Sequence, residues 1–507
     1  MKKIDFRGGV VKLLLGIEVI TLFLGIKSFG SKNNTLDDIK LLDNKSNNLF
    51  AIMVKDSSGN YNETSTFPEG AYVLNETMSS CVDNNGNKID NVLSYESGHV
   101  YTKTNKTVYC YLYFDKDNSV YAKVIDDYEN NNGVKKTTDE NGKDVYYYAG
   151  NITNNNLVLN NYCWKMVRTT ETDGVKLLYN GLYSDSTKCN NTGTSVNIDS
   201  NKTAFNTNYN SPAYVGYMYG TVYAWTSKLA SSFGTYYYGS DVTWNGTTYT
   251  LSDAESGTIA NMYSKLSSKH YICLGTSSSC STVYYIYYMG SATGYAYYMT
   301  LTNGKKIDDA LDVMLNYNTT NSNIKTVIDN WYSTNMTNAT EYLENAIYCN
   351  NRNISNLGGW NPSGGSVTVD LQFNDYNTSN NTSTARLTCQ DKEDQFTLKV
   401  ESGGTLGYGN NALDYPVGLL TSEEAYLARN GSSTNYLNNK DSYWLLSPVS
   451  FDYNSARVRH VNYGGLLHNY VKGSNGARPA VSLSTKVKLS GEGNGTVESP
   501  YILAPLD

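Results

Sequence analysis

The chain has 507 residues, 40% hydrophobic and 17% charged, with 47 tyrosines and only 8 prolines. That length exceeds one ordinary domain and predicts two or three. The net charge is −7, and −10 once residues 1–30, with five basic and two acidic side chains, are set aside, which argues against nucleic acid or anionic lipid as the main partner.

Lys2, Lys3, Arg7 and Lys12 form a basic start to an apolar stretch over residues 13–26, interrupted by Glu18. Ser28, Gly30 and Ser31 offer small residues for cleavage, so residues 1–30 read as a signal peptide or an uncleaved anchor. Glu18 weighs against a stable membrane helix, since a mid-membrane carboxylate costs about 3 kcal/mol. The expected location is extracellular or at the cell surface, touching the membrane only through this segment. Residues 31–48 are polar and read as a linker.

Residues 49–145 read as a small all-β domain. Ala51-Ile52-Met53-Val54, Ala71-Tyr72-Val73-Leu74 and Val108-Tyr109-Cys110-Tyr111-Leu112 are strand-like, and Ser58-Gly59-Asn60 and Asn84-Asn85-Gly86-Asn87 are turns. The polar stretch 130–142 marks the expected boundary with the main domain, 146–507. There Asn161-Tyr162-Cys163-Trp164-Lys165-Met166-Val167-Arg168 is a strand, turned at Thr172-Asp173-Gly174, with Trp164 a core residue. An insertion is expected at about 221–303, with a helix carrying Ile259, Met262, Tyr263 and Leu266 and a tyrosine-rich hairpin over 283–289 and 295–301.

Ile307, Ala310, Leu311, Met314 and Leu315 form an amphipathic helical stripe. Ile324, Val327, Ile328 and Trp331 repeat it after Ser322, a helix cap. Trp360 lies in a glycine-rich loop. Residues 415–420 read as a buried strand, and Thr421 with Glu424 forms a capping box opening a short helix. In 441–483, Tyr443-Trp444-Leu445-Leu446 is an apolar run stopped by Ser447-Pro448. A strand over 456–461 puts Arg457, Arg459 and Val461 on one face, Tyr463-Gly464-Gly465 turns, 466–471 returns, and 477–481 is a last strand. Residues 500–503 form an end strand pairing back onto the sheet.

Eight cysteines, an even number, suggest disulfides in an exported chain. Spacing does not fix connectivity. The preferred set joins neighbours: Cys81–Cys110, Cys163–Cys189, Cys273–Cys280 and Cys349–Cys389. No C-x-x-C pair points to zinc or redox chemistry.

Catalytic motifs are absent: no H-E-x-x-H, Walker loop, G-x-S-x-G or dinucleotide fingerprint occurs. His460 and His468, eight apart across a turn, could face each other as a metal pair, although solvated loop roles are expected. No cofactor is expected; calcium would draw on Asp441, Asp452 and Asn454, without an E-P-N or Q-P-D triplet. The expected ligand-binding residues are Trp360, Asp452, Tyr453, Asn454, Arg457, Arg459, His460, Tyr463, His468 and Tyr470. Trp164, Trp331, Trp444, Arg478 and Pro479 are assigned to the scaffold, with the Arg478 fork holding a buried carboxylate or carbonyls.

The string W-L-L-S-P at 444–448 and Gly476-Ala477-Arg478-Pro479 resemble the C-terminal domain of a group of Firmicutes surface proteins, with Leu446 where that group has arginine. The string N-Y-C-W-K-M-V-R at 161–168, the helix string at 324–332 and Tyr348-Cys349-Asn350-Asn351-Arg352 extend the resemblance over roughly the last 360 residues. That domain is similar in pattern to the C-type-lectin-like fold, which includes the formylglycine-generating enzymes. The resemblance implies an α+β class: twisted antiparallel strands with two or more covering helices. The formylglycine oxidase chemistry needs a cysteine pair in the C-terminal part, and this chain has none after Cys389. The expected role is a non-catalytic, adhesin-like surface protein whose partner is an extracellular glycan, peptide or protein. The alternatives are a cell-envelope enzyme on a formylglycine-type scaffold or a structural, pilus-associated component.

Overall fold

The computed structural model describes residues 22–24, 49–56, 59–68, 72–96, 99–102, 107–186, 188–199, 201–229, 235–244, 247–256, 270–276, 279–290, 295–301, 305–357, 370–373, 384–400, 408–431, 435–438, 440–463 and 465–506. They build a mixed α+β architecture of several antiparallel and parallel sheets with a few helices. The chain divides into two units, one made of 1–134 with 486–491 and one of 135–485 with 492–507. The division falls at Val134/Lys135, ahead of the boundary expected after residue 145. Of residues 1–30, only Leu22–Leu24 is described, as a short strand antiparallel to residues 100–102. No described helix is long and apolar enough to cross a membrane.

In the first unit, β1 (Leu49–Lys55) lies between β2 (Tyr61–Thr64), antiparallel to it, and β4 (Tyr109–Lys116), parallel to it; β3 (Ser80–Val82) runs antiparallel on the other side of β4. Strand β4 alternates as a half-buried strand must: Cys110, Leu112 and Phe114 are buried while Tyr111 is exposed. The Cys81–Cys110 disulfide joins residues directly opposite in the β3–β4 register. The unit is not all-β. Helix α1 (Val120–Glu129) belongs to it, capped by Ser119, whose Oγ accepts from the Ala122 N–H at 3.0 Å. Val120, Val124 and Ile125 are β-branched and favour strand in isolation; the cap and a buried apolar face override that propensity. The C-terminal return is stitched to the start of α1, with Val120 N–H donating to the Val487 carbonyl and Leu489 N–H to that of Asn118.

The second unit starts with β5 (Val134–Asp139), β6 (Asp144–Tyr148), β7 (Asn156–Leu159), β8 (Tyr162–Thr169) and β9 (Val175–Leu182). The polar stretch read as a boundary thus holds a strand. A six-stranded antiparallel sheet over 225–301 occupies the expected insertion, ending in the hairpin of β10 (Ser279–Gly290) and β11 (Tyr295–Leu301). The helix expected around Met262 lies outside the described residues. Helices α2 (Ile307–Leu315) and α3 (Asn323–Asn335) follow. Then come β12 (Ile354–Leu357), β13 (Asp370–Phe373), α4 (Ser422–Arg429), β14 (Tyr443–Asp452), β15 (Ser455–Asn462), β16 (Gly465–Tyr470), β17 (Ala480–Leu483) and β18 (Tyr501–Ile502).

Strand β8 pairs antiparallel with β6, β7 and β9; β9 pairs onward with β17, and the end strand β18 returns parallel to β7. A second sheet is a five-stranded antiparallel array in the order β12-β13-β14-β15-β16. Helix α2 buries Ile307, Ala310, Leu311, Met314 and Leu315, the five stripe positions. Ser322 caps α3 by accepting from the Lys325 N–H. Trp331 is half-buried and meets Tyr162, Trp164 and Tyr179 edge-on at 5.3–6.4 Å, an arrangement that adds to simple area burial. Cys163–Cys189 and Cys349–Cys389 are bonded, and Cys273 is disulfide-bonded as well; the Cys280 side chain lies outside the described residues.

Two expectations change here. Strand β14 does not stop at Pro448 but runs on to Asp452, with the pairing register shifting on both sides of the proline. A bulge there spares the N–H that proline lacks. Residues 416–420 are buried, with Tyr415 half-buried, and none of them forms a strand; they make an isolated bridge at Gly418↔Ala480. A Cβ on Gly418 would lie 2.4 Å from the Tyr348 ring, so that close approach requires glycine.

A charged cluster sits inside this unit. Glu424, at the N-terminus of α4, accepts from Arg168 Nε at 2.7 Å and from Lys176 Nζ at 2.9 Å, with all three side chains at most 1% exposed. Its second oxygen closes the capping box on the Thr421 N–H. Burial alone would raise the Glu424 carboxyl, but Lys176 and Arg168 beside it hold it down at about 2.

Candidate functional site

Strands β14, β15 and β16 form a meander, and most of the expected binding residues lie on it. Alternation along β15 sends Ala456, Val458 and His460 inward and leaves Arg457 and Arg459 half-buried on the other face. Val461, the next residue on the arginines' face, is buried. Register places Tyr470 opposite Arg457 and His468 opposite Arg459.

Arg457 organises the outer face. It pairs with Asp452 at 2.7 Å, meets His468 Nε2 at 3.1 Å, donates to the Tyr470 hydroxyl at 2.9 Å, and its guanidinium lies 4.4 Å from the Tyr470 ring centre. An arginine can only donate, so Nε2 of His468 accepts and the imidazole proton sits on Nδ1 in its neutral form. Burial, then Arg457 and Arg459, push the His468 pKa down, which keeps it neutral. Burial also raises the Asp452 carboxyl, opposed by Arg457 and His468. The cluster is therefore an aromatic and imidazole surface whose side chains are already fixed, at low ordering cost on binding.

The ten expected residues do not form one site. Tyr453 and Asn454 turn the chain from β14 to β15, with Tyr453 in the left-handed region at φ 53°. Tyr463 (φ 47°, 65% exposed) turns it at the other end, about 27 Å away along the eight-residue β15. Asp452, Tyr453, Asn454, Arg457, His468 and Tyr470 are gathered at the first end, and Arg459 is one rung further on. Trp360 lies outside the described residues.

His460 is a correction. It is 6% exposed, packs edge-on against Trp444 at 6.1 Å, and its Nδ1 is enclosed without a hydrogen-bond partner. Burial lowers its pKa to about 4. It pairs across from Leu467, not His468, so the two histidines point to opposite faces and cannot share a metal. Among the described residues no group of three or more His, Cys, Asp or Glu could hold an ion. Asp441 is buried and engaged by Lys202 (2.6 Å) and Asn197 (2.9 Å), at the end of β14 away from Asp452.

The scaffold residues are interior. Trp164, Trp444 and Arg478 are at most 1% exposed, and Pro479 is buried. Arg478 donates to the carbonyls of Tyr179 (3.0 Å) and Leu437 (3.4 Å) and to Asn180 Oδ1 (3.2 Å), and lies over the Tyr443 ring. Carbonyls, rather than a carboxylate, take its donors.

A second concave feature has no counterpart in the sequence reading. A groove of about 760 Å³ is lined by Asn318, Thr319, Thr320, Asn321, Glu393, Lys399, Asn410, Asn411 and Asp414, with Met218 and Ala412. Its residues, from 218 to 414, come from segments far apart along the chain, so no local motif announces it. The repeated asparagines are the one signal, and they are common throughout the chain.

No protein-family model, curated protein or solved structure matches this chain.

Proposed function

We propose that this is an exported, non-catalytic surface protein whose C-terminal unit binds an extracellular glycan, peptide or protein. The reading of that unit as C-type-lectin-like belongs to the same proposal; its support is the resemblance of the strings at 161–168, 444–448 and 476–479, together with the α+β build. The observation that carries the binding role is the Arg457-centred array. A guanidinium held by Asp452, His468 and Tyr470 on an open sheet face offers a rigid aromatic surface with a charged centre, the composition of recognition hot spots.

The test passes the full chain over glycan arrays, immobilised mucin and matrix proteins, with and without a calcium chelator. Saturable binding, insensitive to chelator and lost in Arg457→Ala and Tyr470→Phe, is the expected result. Binding that survives both substitutions, or its absence from all three surfaces, would refute the assignment.

A further inference from the structure

We propose that the polar groove of the second unit is a separate binding site for a neutral saccharide. It is independent of the Arg457 face.

The groove is built rigidly. Its wall from residues 409–412 is held by Gln395 and Thr397: Gly409 N–H donates to Gln395 Oε1, Asn410 N–H to the Gln395 carbonyl, and Asn411 N–H to Thr397 Oγ1. Gly409 has φ 76° and a Cβ there would lie 2.2 Å from Thr397 Oγ1, so the turn has one shape. The opposite wall follows α2, where residues 320–321 pair antiparallel with 218–219. Asn318 Nδ2 and Asn410 Nδ2, one from each wall, both donate to the Glu393 carbonyl at 2.8 Å.

The lining chemistry selects the ligand class. Four asparagines and two threonines present amides and hydroxyls, groups that both donate and accept and so match the hydroxyls of a sugar. The amide oxygens of Asn318 and Asn411 are enclosed without any hydrogen-bond partner. An acceptor in that state is costly; Asn318 is pinned by its bond to the Glu393 carbonyl, whereas a rotation of the Asn411 side chain would bring its oxygen to a ligand hydroxyl.

The charges exclude anions. Lys399 is paired with Asp414, and Asp414 is backed at 3.7 Å by the fully buried Lys325, itself bonded to Asp329 at 2.5 Å. Among the described residues no lining cation is left over for a phosphate or carboxylate, and Glu393 would repel one. Among the described residues no aromatic ring lines the groove to stack on a base, and Met218 and Ala412 give little for an apolar side chain.

The experiment titrates the full chain with lactose, maltose, mannobiose and chitobiose by calorimetry, with saturation-transfer NMR as a second readout; sialyllactose and trialanine are the comparison probes. Asn411→Gly removes the amide while keeping a residue suited to φ 55°, and Thr320→Trp fills the groove from its exposed wall. Saturable binding of at least one neutral disaccharide is expected, weakened at least tenfold by Asn411→Gly, abolished by Thr320→Trp and unchanged in Arg457→Ala. The proposal is overturned if none of the four disaccharides saturates, if sialyllactose or trialanine binds in preference, or if both groove variants bind as the parent does. Because the groove would itself retain neutral glycans, the array comparison of Arg457→Ala is made in the Thr320→Trp background, where surviving binding counts against the Arg457 face alone; the groove titration in Arg457→Ala on its own is expected unchanged.

Discussion

Arg168 and Arg457 make the same contact, a guanidinium nitrogen 2.7 Å from a carboxylate, in two opposite environments. Around Arg168 the partners Glu424 and Lys176 are almost entirely enclosed. Around Arg457 each partner keeps an accessible edge, and the side chains of Arg457 and Asp452 are 21% and 20% exposed. The first cluster is a requirement of the fold, because two buried cations depend on one carboxylate. The second spends little stability and leaves its aromatic members available to something outside. Geometry alone does not separate structural from recognition clusters; desolvation does.

The sharpest break in this comparison is Glu424→Gln. It takes from buried Arg168 and Lys176 the carboxylate they both bond, and a loss of about 3–5 kcal/mol in urea unfolding is expected. Trp444→Ala should cost a similar amount, about 3–5 kcal/mol, by emptying a fully buried site. Arg478→Ala, which strips donors from the Tyr179 and Leu437 carbonyls, should also unfold the unit or nearly so.

Next is acidification, which the two meander histidines should register differently. A folded His460 with its pKa at about 4, against 6.5 unfolded, binds fewer protons than the unfolded chain between those values. Stability is therefore intact above about pH 6.5 and falls as pH drops toward 4, by roughly 3 kcal/mol in all from this group. His460→Phe should flatten that part of the profile; an unchanged profile would dismiss His460 as its source. Protonating His468 instead breaks its acceptor contact with Arg457 and should weaken ligand capture over an acidic range with less effect on the melt.

Smaller still, Arg457→Ala should cost at most about 1 kcal/mol, as part-exposed pairs do, while abolishing capture on the array. Smallest are Tyr463→Ala and Arg459→Ala, expected within about 0.5 kcal/mol of the parent in melts, with weakened binding as the readout. A melt in which these two rank above Trp444→Ala would invert the comparison.

The sequence made legible what depends on local period. The α2 stripe, the Ser322 cap and the Thr421–Glu424 capping box are each set within one or two helical turns, and each appears at the expected residues. The burial of His460 is legible in the same period: if Arg457 and Arg459 face outward, period two sends residue 460 inward. Pro448 and α1 failed for a different reason, since tertiary packing overruled what proline and β-branched residues favour in isolation. The groove was invisible because its walls are brought together from loops nearly two hundred residues apart along the chain.

The return of residues 486–491 to the first unit bears on how this molecule can be taken apart. Cutting after Val134 does not yield two intact pieces. The N-terminal fragment lacks the segment that accepts from Val120 and donates to Asn118, while the C-terminal fragment carries that segment with nothing to pair it. A protease or an engineer must make three cuts, not one, to separate the units cleanly. Because the segment lies between two stretches of the other unit, the backbone passes from one unit to the other three times.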